Sequence, residues 1–255
     1  MIRLGVCASP DSAAQVAAAG FEYIECAFSP LAGMSEEEFI AARDCVLASP
    51  IRAEAFNLMV PGSVPVAGPT VSQYNIRQYL DKALPRAASM GCQVIVFGSG
   101  GARKVPEGYD KHEAYEDIIA YLRVAGDRSA KFGITIAIEP LRAAECNILN
   151  SVAEATWIAH RVNHPNVKVL VDNYHVVKDN QSFHEIRAAG CLMAHTHISN
   201  PYTRAFPLPG DGCDYTGYFS ALKDIGYSGR MSVEGNTDNF EGDLPKAFAL
   251  LGSLR

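Results

Sequence analysis

The chain has 255 residues, 48% of them hydrophobic, and a formal net charge of −6. That is enough apolar material for one sizeable core, with no basic surplus to neutralise a nucleic-acid backbone. Nucleic acid is not an expected partner, and no run approaches the roughly 18 apolar residues of a membrane span.

The N-terminal MIRLGVCAS enters a strand-like segment directly, without a long apolar leader and cleavage site. The seven cysteines, Cys7, Cys26, Cys45, Cys92, Cys146, Cys191 and Cys213, include no C-x-x-C pair and read as small packing residues in a reducing compartment. A soluble cytoplasmic protein is expected.

In chain order, Ile2–Cys7 is the first predicted strand, and a repeated joint then appears: a helix-like stretch, a glycine suited to the left-handed position after a helix, and a short apolar strand. The joint recurs at AAAG20 before FEYIECAF, SMG91 before CQVIVFG, KFG133 before ITIAIE, AAG190 before CLMAHTHIS and DIG226 before YSGRMSVEG. Arg52–Asn57 and Val167–Asp172 complete a set of eight strands, each followed by a segment that can be helical. Residues 1–255 are therefore expected to form a single α/β domain, a (β/α)8 TIM barrel.

The helices carry local signals. Ser35 with Glu38, and Ser151 with Glu154, have the spacing of capping boxes. Ile118, Ile119, Leu122 and Ala125 share a helical face. Pro85 falls inside the third long helix, where a kink is expected because Leu80, Leu84 and Ala88 keep the period through it. Met59–Ser72 and Gly98–Lys111 are long loops on the catalytic face of such a barrel, where long loops cover substrates.

Four consecutive strands end in residues that bind divalent metals: Glu139, Asp172, His197 and Glu234. Adjacent strands lie about 4.8 Å apart, so side chains at one height can converge on one ion without any local motif. A single acid at a strand end is more often a helix cap or a salt-bridge partner; four in a row argue against coincidence. Three carboxylates and an imidazole suit Mn²⁺, Mg²⁺ or Co²⁺, with Zn²⁺ admissible. His195 shares a strand face with His197, and the latter is nearer the carboxyl end. His112, His160, His164 and His184 lie in or beside helices and read as exposed or capping residues. Glu145, His175 and Arg204 lie around the four. The GSGGARK run from Gly98 lacks both the dinucleotide fingerprint and the P-loop ending, and reads equally as a lid or an anion site.

The glutamate pair Glu139 and Glu145, the following CNILN run, the D-x-x-H of Asp172 and His175, the H-x-H of His195 and His197, the loop arginine Arg204 and the last-strand Glu234 resemble the xylose isomerase-like barrels of sugar (phosphate) isomerases and epimerases. Within these the ketose 3-epimerases of the tagatose and psicose type are closest in motifs. The resemblance covers essentially the whole chain. It implies that Glu139, Asp172, His197 and Glu234 hold one divalent metal ion, that Glu145, His175 and Arg204 hold a small sugar, and that the chain forms homo-oligomers, dimers or tetramers. The aromatic floor of those sugar pockets is not recognisable, since the only tryptophan, Trp157, sits on a helix.

The expected reaction is removal and return of the proton at carbon three of a ketose through a metal-stabilised enediolate, with Glu139 and Glu234 as the acid–base pair. The alternatives are an aldose–ketose or hydroxypyruvate-type isomerase and, more distantly, an inosose-type dehydratase or an abasic-site endonuclease. The endonuclease needs further histidines for a multi-metal centre, and the strands of Asn57 and Phe97 supply none.

Overall fold

The computed structural model describes every residue from Met1 to Arg255. Strands β1 (Arg3–Cys7), β2 (Tyr23–Ala27), β3 (Ala53–Asn57), β4 (Val94–Phe97), β5 (Thr135–Ile138), β6 (Val167–Asp172), β7 (Met193–Ile198) and β8 (Arg230–Val233) pair in parallel and in chain order. The ring closes where Arg3–Val6 of β1 runs beside Arg230–Val233 of β8. Helices occupy the crossovers, among them Glu36–Ala48, Gln73–Ser89, Lys111–Ala130, Val152–Val162 and Phe240–Leu254. No helix is long and apolar enough to cross a membrane.

The joints are as the sequence suggests: Gly20, Gly91, Gly133, Gly190 and Gly226 all have positive φ, a conformation that a side chain with a Cβ adopts at a cost. At Gly5 the constraint is space, because an added Cβ would lie 2.3 Å from the Tyr23 ring inside the barrel. The helix Gln73–Ser89 runs unbroken through Pro85.

The apolar material forms two bodies. A large cluster lies between the outward face of the barrel and the helices, and Tyr23, Ala55, Val94, Val96, Ala137 and Leu170 fill one side of the barrel interior. The rest of the interior is polar and tiered. At the amino end Arg3 and Arg230 clamp Glu54 at 2.5 and 2.6 Å. The middle tier holds Tyr23, Ser232, Glu25 and His195. The carboxyl end holds His197 and the acids.

Some local expectations are corrected. Ser35 and Glu38 form a full capping box, but at Ser151 only one arm exists. There the hydroxyl accepts from the Glu154 amide, while the Glu154 carboxylate accepts from the amides of Leu149 and Asn150. Leu149 at φ 58° turns those amides toward the acid. The two long loops are stitched to each other and to the fold: the Val60 amide donates to Ser99 Oγ, the Val66 amide to the Ala102 carbonyl, and the Tyr79 hydroxyl to the Met59 carbonyl. The GSGGARK run is no lid, because Arg103 is fully buried and its guanidinium donates to the carbonyls of Phe97 and Leu149. All seven cysteines are free, but only Cys26, Cys92 and Cys146 are buried; Cys45 and Cys191 are exposed.

Candidate active site

The barrel register places the site. Asp172 is the Cα partner of His197, and His197 of Ser232, so Glu234 projects from the same face two residues beyond Ser232. Glu139 follows β5 and its amide still pairs with the Phe97 carbonyl. The result is a cluster in which ligand atoms of Glu139, Asp172, His197 and Glu234 all lie within 4.8 Å of one another. His197 Nδ1 is 3.1 Å from Glu139 Oε1 and 3.5 Å from Glu234 Oε2.

Such a cluster cannot be neutral to its own charges. Burial raises the Asp172 carboxyl to about 6 against the pull of His175. Burial also works against ionised Glu234, yet His197 and Arg204 prevail and hold it down at about 2. For His197 burial favours the neutral ring, but Glu25 and Glu234 drive its pKa well above the ordinary value. In the metal-free protein the imidazolium is the cation that the carboxylates gather around.

A divalent ion fits this arrangement. Asp172 Oδ1 caps the following helix through the Tyr174 amide, while Oδ2 is buried without a hydrogen bond, 3.7 Å from His175 Nε2. Three carboxylates and one imidazole nitrogen form a hard to borderline donor set.

The remaining predicted residues surround it. His175 Nδ1 accepts from the Arg142 amide at 3.2 Å, which leaves the proton on Nε2; that atom is buried and has no partner. Arg204, at φ 57°, donates to Glu145 Oε1 and Glu234 Oε2, both at 3.2 Å. Its guanidinium stands over the Tyr174 ring at 4.6 Å. The Arg204 loop is held to the segment after β8 by the Ala205–Asn236 bridge, and Gly235 permits this, since a Cβ there would lie 2.8 Å from the Ala205 backbone. Glu145 is further anchored by Arg142 at 2.7 Å. Asn57, Leu58, Ser99, Glu139, Glu145, Arg204 and Glu234 line a cavity of about 240 Å³.

Sequence reasoning missed three contributors. Glu25, in the middle of β2, accepts from both His195 and His197; its only signal was an acid inside the apolar run FEYIECAF. Asn57, set aside as offering no metal ligand, donates to Glu234 Oε1 at 3.3 Å. Gly98 makes room for Glu139, because an added Cβ would lie 2.1 Å from Oε2. Gly98→Ala is therefore expected to displace that carboxylate and lower turnover roughly 100-fold, as misplaced reacting groups do, with little change in melting temperature. Steady-state kinetics beside a melting curve checks this. His112, His160 and His184 are exposed, and half-buried His164 faces Asp127, all away from the site.

Residues 13–254 match the family described as Xylose isomerase-like TIM barrel. The chain belongs to this family. Among its relatives is L-ribulose 3-epimerase of Methylomonas sp. (strain DH-1), 28% identical over 226 residues that span 87% of this chain and 76% of the relative. Another is 2-oxo-tetronate isomerase of Pectobacterium atrosepticum, 31% identical over 163 residues, spanning 63% of this chain and 61% of the relative. A crystal structure of D-psicose 3-epimerase in the presence of D-fructose superposes with a TM-score of 0.88, covering 99% of both chains at 21% identity. The xylose isomerase-like barrel thus accounts for the fold, and the relatives act as sugar epimerases and isomerases.

Proposed function

We propose that this chain is a divalent-metal-dependent sugar isomerase/epimerase, and that its reaction is epimerisation of a ketose at carbon three. The observation that carries this reading is the pairing of Glu139 and Glu234, from β5 and the end of β8, with carboxylate oxygens within 4.8 Å of each other and of Asp172 and His197 beside a small cavity.

Glu139, Asp172, His197 and Glu234 would hold the ion, which supplies Lewis-acid polarisation of the substrate carbonyl and makes the neighbouring C–H more acidic. Glu234 is held ionised by His197 and Arg204, the protonation state a base needs. Glu139 stands across the site from it, walled by Gly98. One glutamate removes the carbon-three proton and the other returns a proton to the opposite face. The Nε2–H of His175 and the Arg204 guanidinium donate hydrogen bonds to the carbonyl oxygen as charge grows on it. Glu145, fixed by two arginines, accepts from a terminal hydroxyl.

The similarity to 2-oxo-tetronate isomerase favours a second reading, a one-base transfer between neighbouring carbons. Incubation of Mn²⁺-loaded protein with a panel of ketoses in deuterated water separates the two. The expected result is label at carbon three with the epimeric ketose as product. Label at carbon one with an aldose product identifies the isomerase, and no label in any ketose rules out both.

A further inference from the structure

Beneath the acidic cluster a chain of buried polar groups runs from Tyr23 through Ser232 and Glu25 to His195 and His197. Tyr23 Oη is 2.8 Å from Ser232 Oγ. Ser232 Oγ donates to Glu25 Oε2 at 2.5 Å, so the Tyr23 hydroxyl must be the donor to Ser232. His195 Nε2 lies 2.7 Å from the same Glu25 oxygen, and His197 Nε2 lies 3.0 Å from Glu25 Oε1. Every member is fully buried or within 1% of it, where each polar group needs a partner.

With Glu25 as a carboxylate the chain takes a single proton assignment, which leaves His195 Nδ1 as its one buried atom without a partner. As a carboxylate Glu25 accepts from Ser232, His195 and His197, which places a proton on Nε2 of both histidines. His197 Nδ1, the atom facing Glu139 and Glu234, then presents a lone pair whenever the ring is neutral.

We infer that Glu25 is the positioning residue of the metal centre: it fixes the orientation and tautomer of His197 so that Nδ1 is presented to the cation. The inference rests on the reading of the site as a metal centre and adds a residue that touches neither ion nor sugar. A carboxylate behind a ligating imidazole locks the ring and raises its basicity, and its loss costs about 10- to 100-fold in metal affinity. Tyr23 and Ser232 serve Glu25 in turn, and His195 is the second donor that keeps its carboxylate saturated. The polar tier inside the barrel is thus a support for one ligand, where apolar side chains would otherwise fill the space.

Glu25→Gln has the same shape but brings its amide N–H₂ either against Ser232 and His195 or against His197 alone, each of which already donates. Its least frustrated arrangement moves the His197 proton to Nδ1, where it blocks the cation. Mn²⁺ titration followed by electron paramagnetic resonance is expected to show affinity reduced about 10- to 100-fold in this variant. Ser232→Ala, which removes a donor but leaves both histidines on Glu25, should stay within about threefold of wild type, whereas a merely structural role would weaken both variants alike.

A second measurement needs no variant. In ¹⁵N-labelled wild type loaded with Zn²⁺, the His197 ring proton should correlate with Nε2 and exchange slowly. A proton found on Nδ1, or Mn²⁺ affinity unchanged in Glu25→Gln, overturns the inference while leaving the metal centre standing. Failure of wild type to bind either ion removes the metal centre itself, and the inference with it.

Discussion

Glu139→Gln and Glu234→Gln are each expected to keep the barrel intact and to lose epimer interconversion by at least about 10³-fold, within the range that positioned acid–base groups supply. Folding should survive because glutamine is isosteric and neither carboxylate caps a helix. The Glu139 carboxylate contacts His197, and Glu234 accepts from Asn57 and Arg204, roles that an amide oxygen can fill in part. Each residue also belongs to the proposed ligand set, so Mn²⁺ affinity must be measured alongside and turnover assayed at saturation. The sharper expectation concerns isotope exchange. With one base removed, the other can still take the proton from the epimer whose carbon-three hydrogen faces it and give back solvent deuterium on that same side. Each variant should therefore exchange only one of the two epimers, and the two variants should exchange opposite ones. Exchange of the same epimer by both, or full activity in both, would refute the two-base scheme.

The parts of this arrangement legible in the sequence were those that interrupt a pattern. Glu139 ends a β-branched run against Pro140, Asp172 closes VKVLV, and Glu234 closes RMSV; a charge at the end of a buried strand has to point at something. The five glycines with positive φ were legible for the same reason, as breaks between a period of 3.6 and a period of 2. Glu25 is harder to read: an acid between Ile24 and Cys26 also fits the alternation of a half-exposed strand, and its partners lie 170 and 172 positions away. Gly-rich GSGGARK invited a phosphate or lid reading, but Arg103 turns inward onto two carbonyls and removes it. At Glu154 the spacing was right and the partner was different, since the left-handed turn at Leu149 offers two amides closer than the cap residue. Local spacing reports which groups can meet; competition among nearby donors decides which do.

Asp172→Asn is expected to stabilise the metal-free protein while abolishing its response to metal. Asp172 Oδ1 accepts the Tyr174 amide as a helix cap, a role asparagine fills equally well, and Oδ2 makes no hydrogen bond, its nearest basic atom being His175 Nε2 at 3.7 Å. The carboxyl titrates at about 6 in the folded protein, raised from 3.8 first by burial and, among the neighbouring charges, by Glu234 and Glu139 against the pull of His175 and His197. A raised acid binds its proton more tightly folded than unfolded. Its contribution is therefore nil below roughly pH 4, turns unfavourable as the pH climbs toward 6, and stays so above. A shift of roughly two pKa units corresponds to about 3 kcal/mol at full effect. In a chelator at pH 7.5 the asparagine variant should melt higher than wild type by roughly 5 °C, and the advantage should vanish by about pH 4. Saturating Mn²⁺ should reverse the order, since an ion at a thousand times its dissociation constant adds about 4.1 kcal/mol to wild type and nothing to a variant lacking the ligand. A variant melting below wild type in chelator at pH 7.5 would mean that Asp172 is a structural partner. The outcome expected here means instead that the chain carries a destabilising carboxylate whose compensation arrives with the cation.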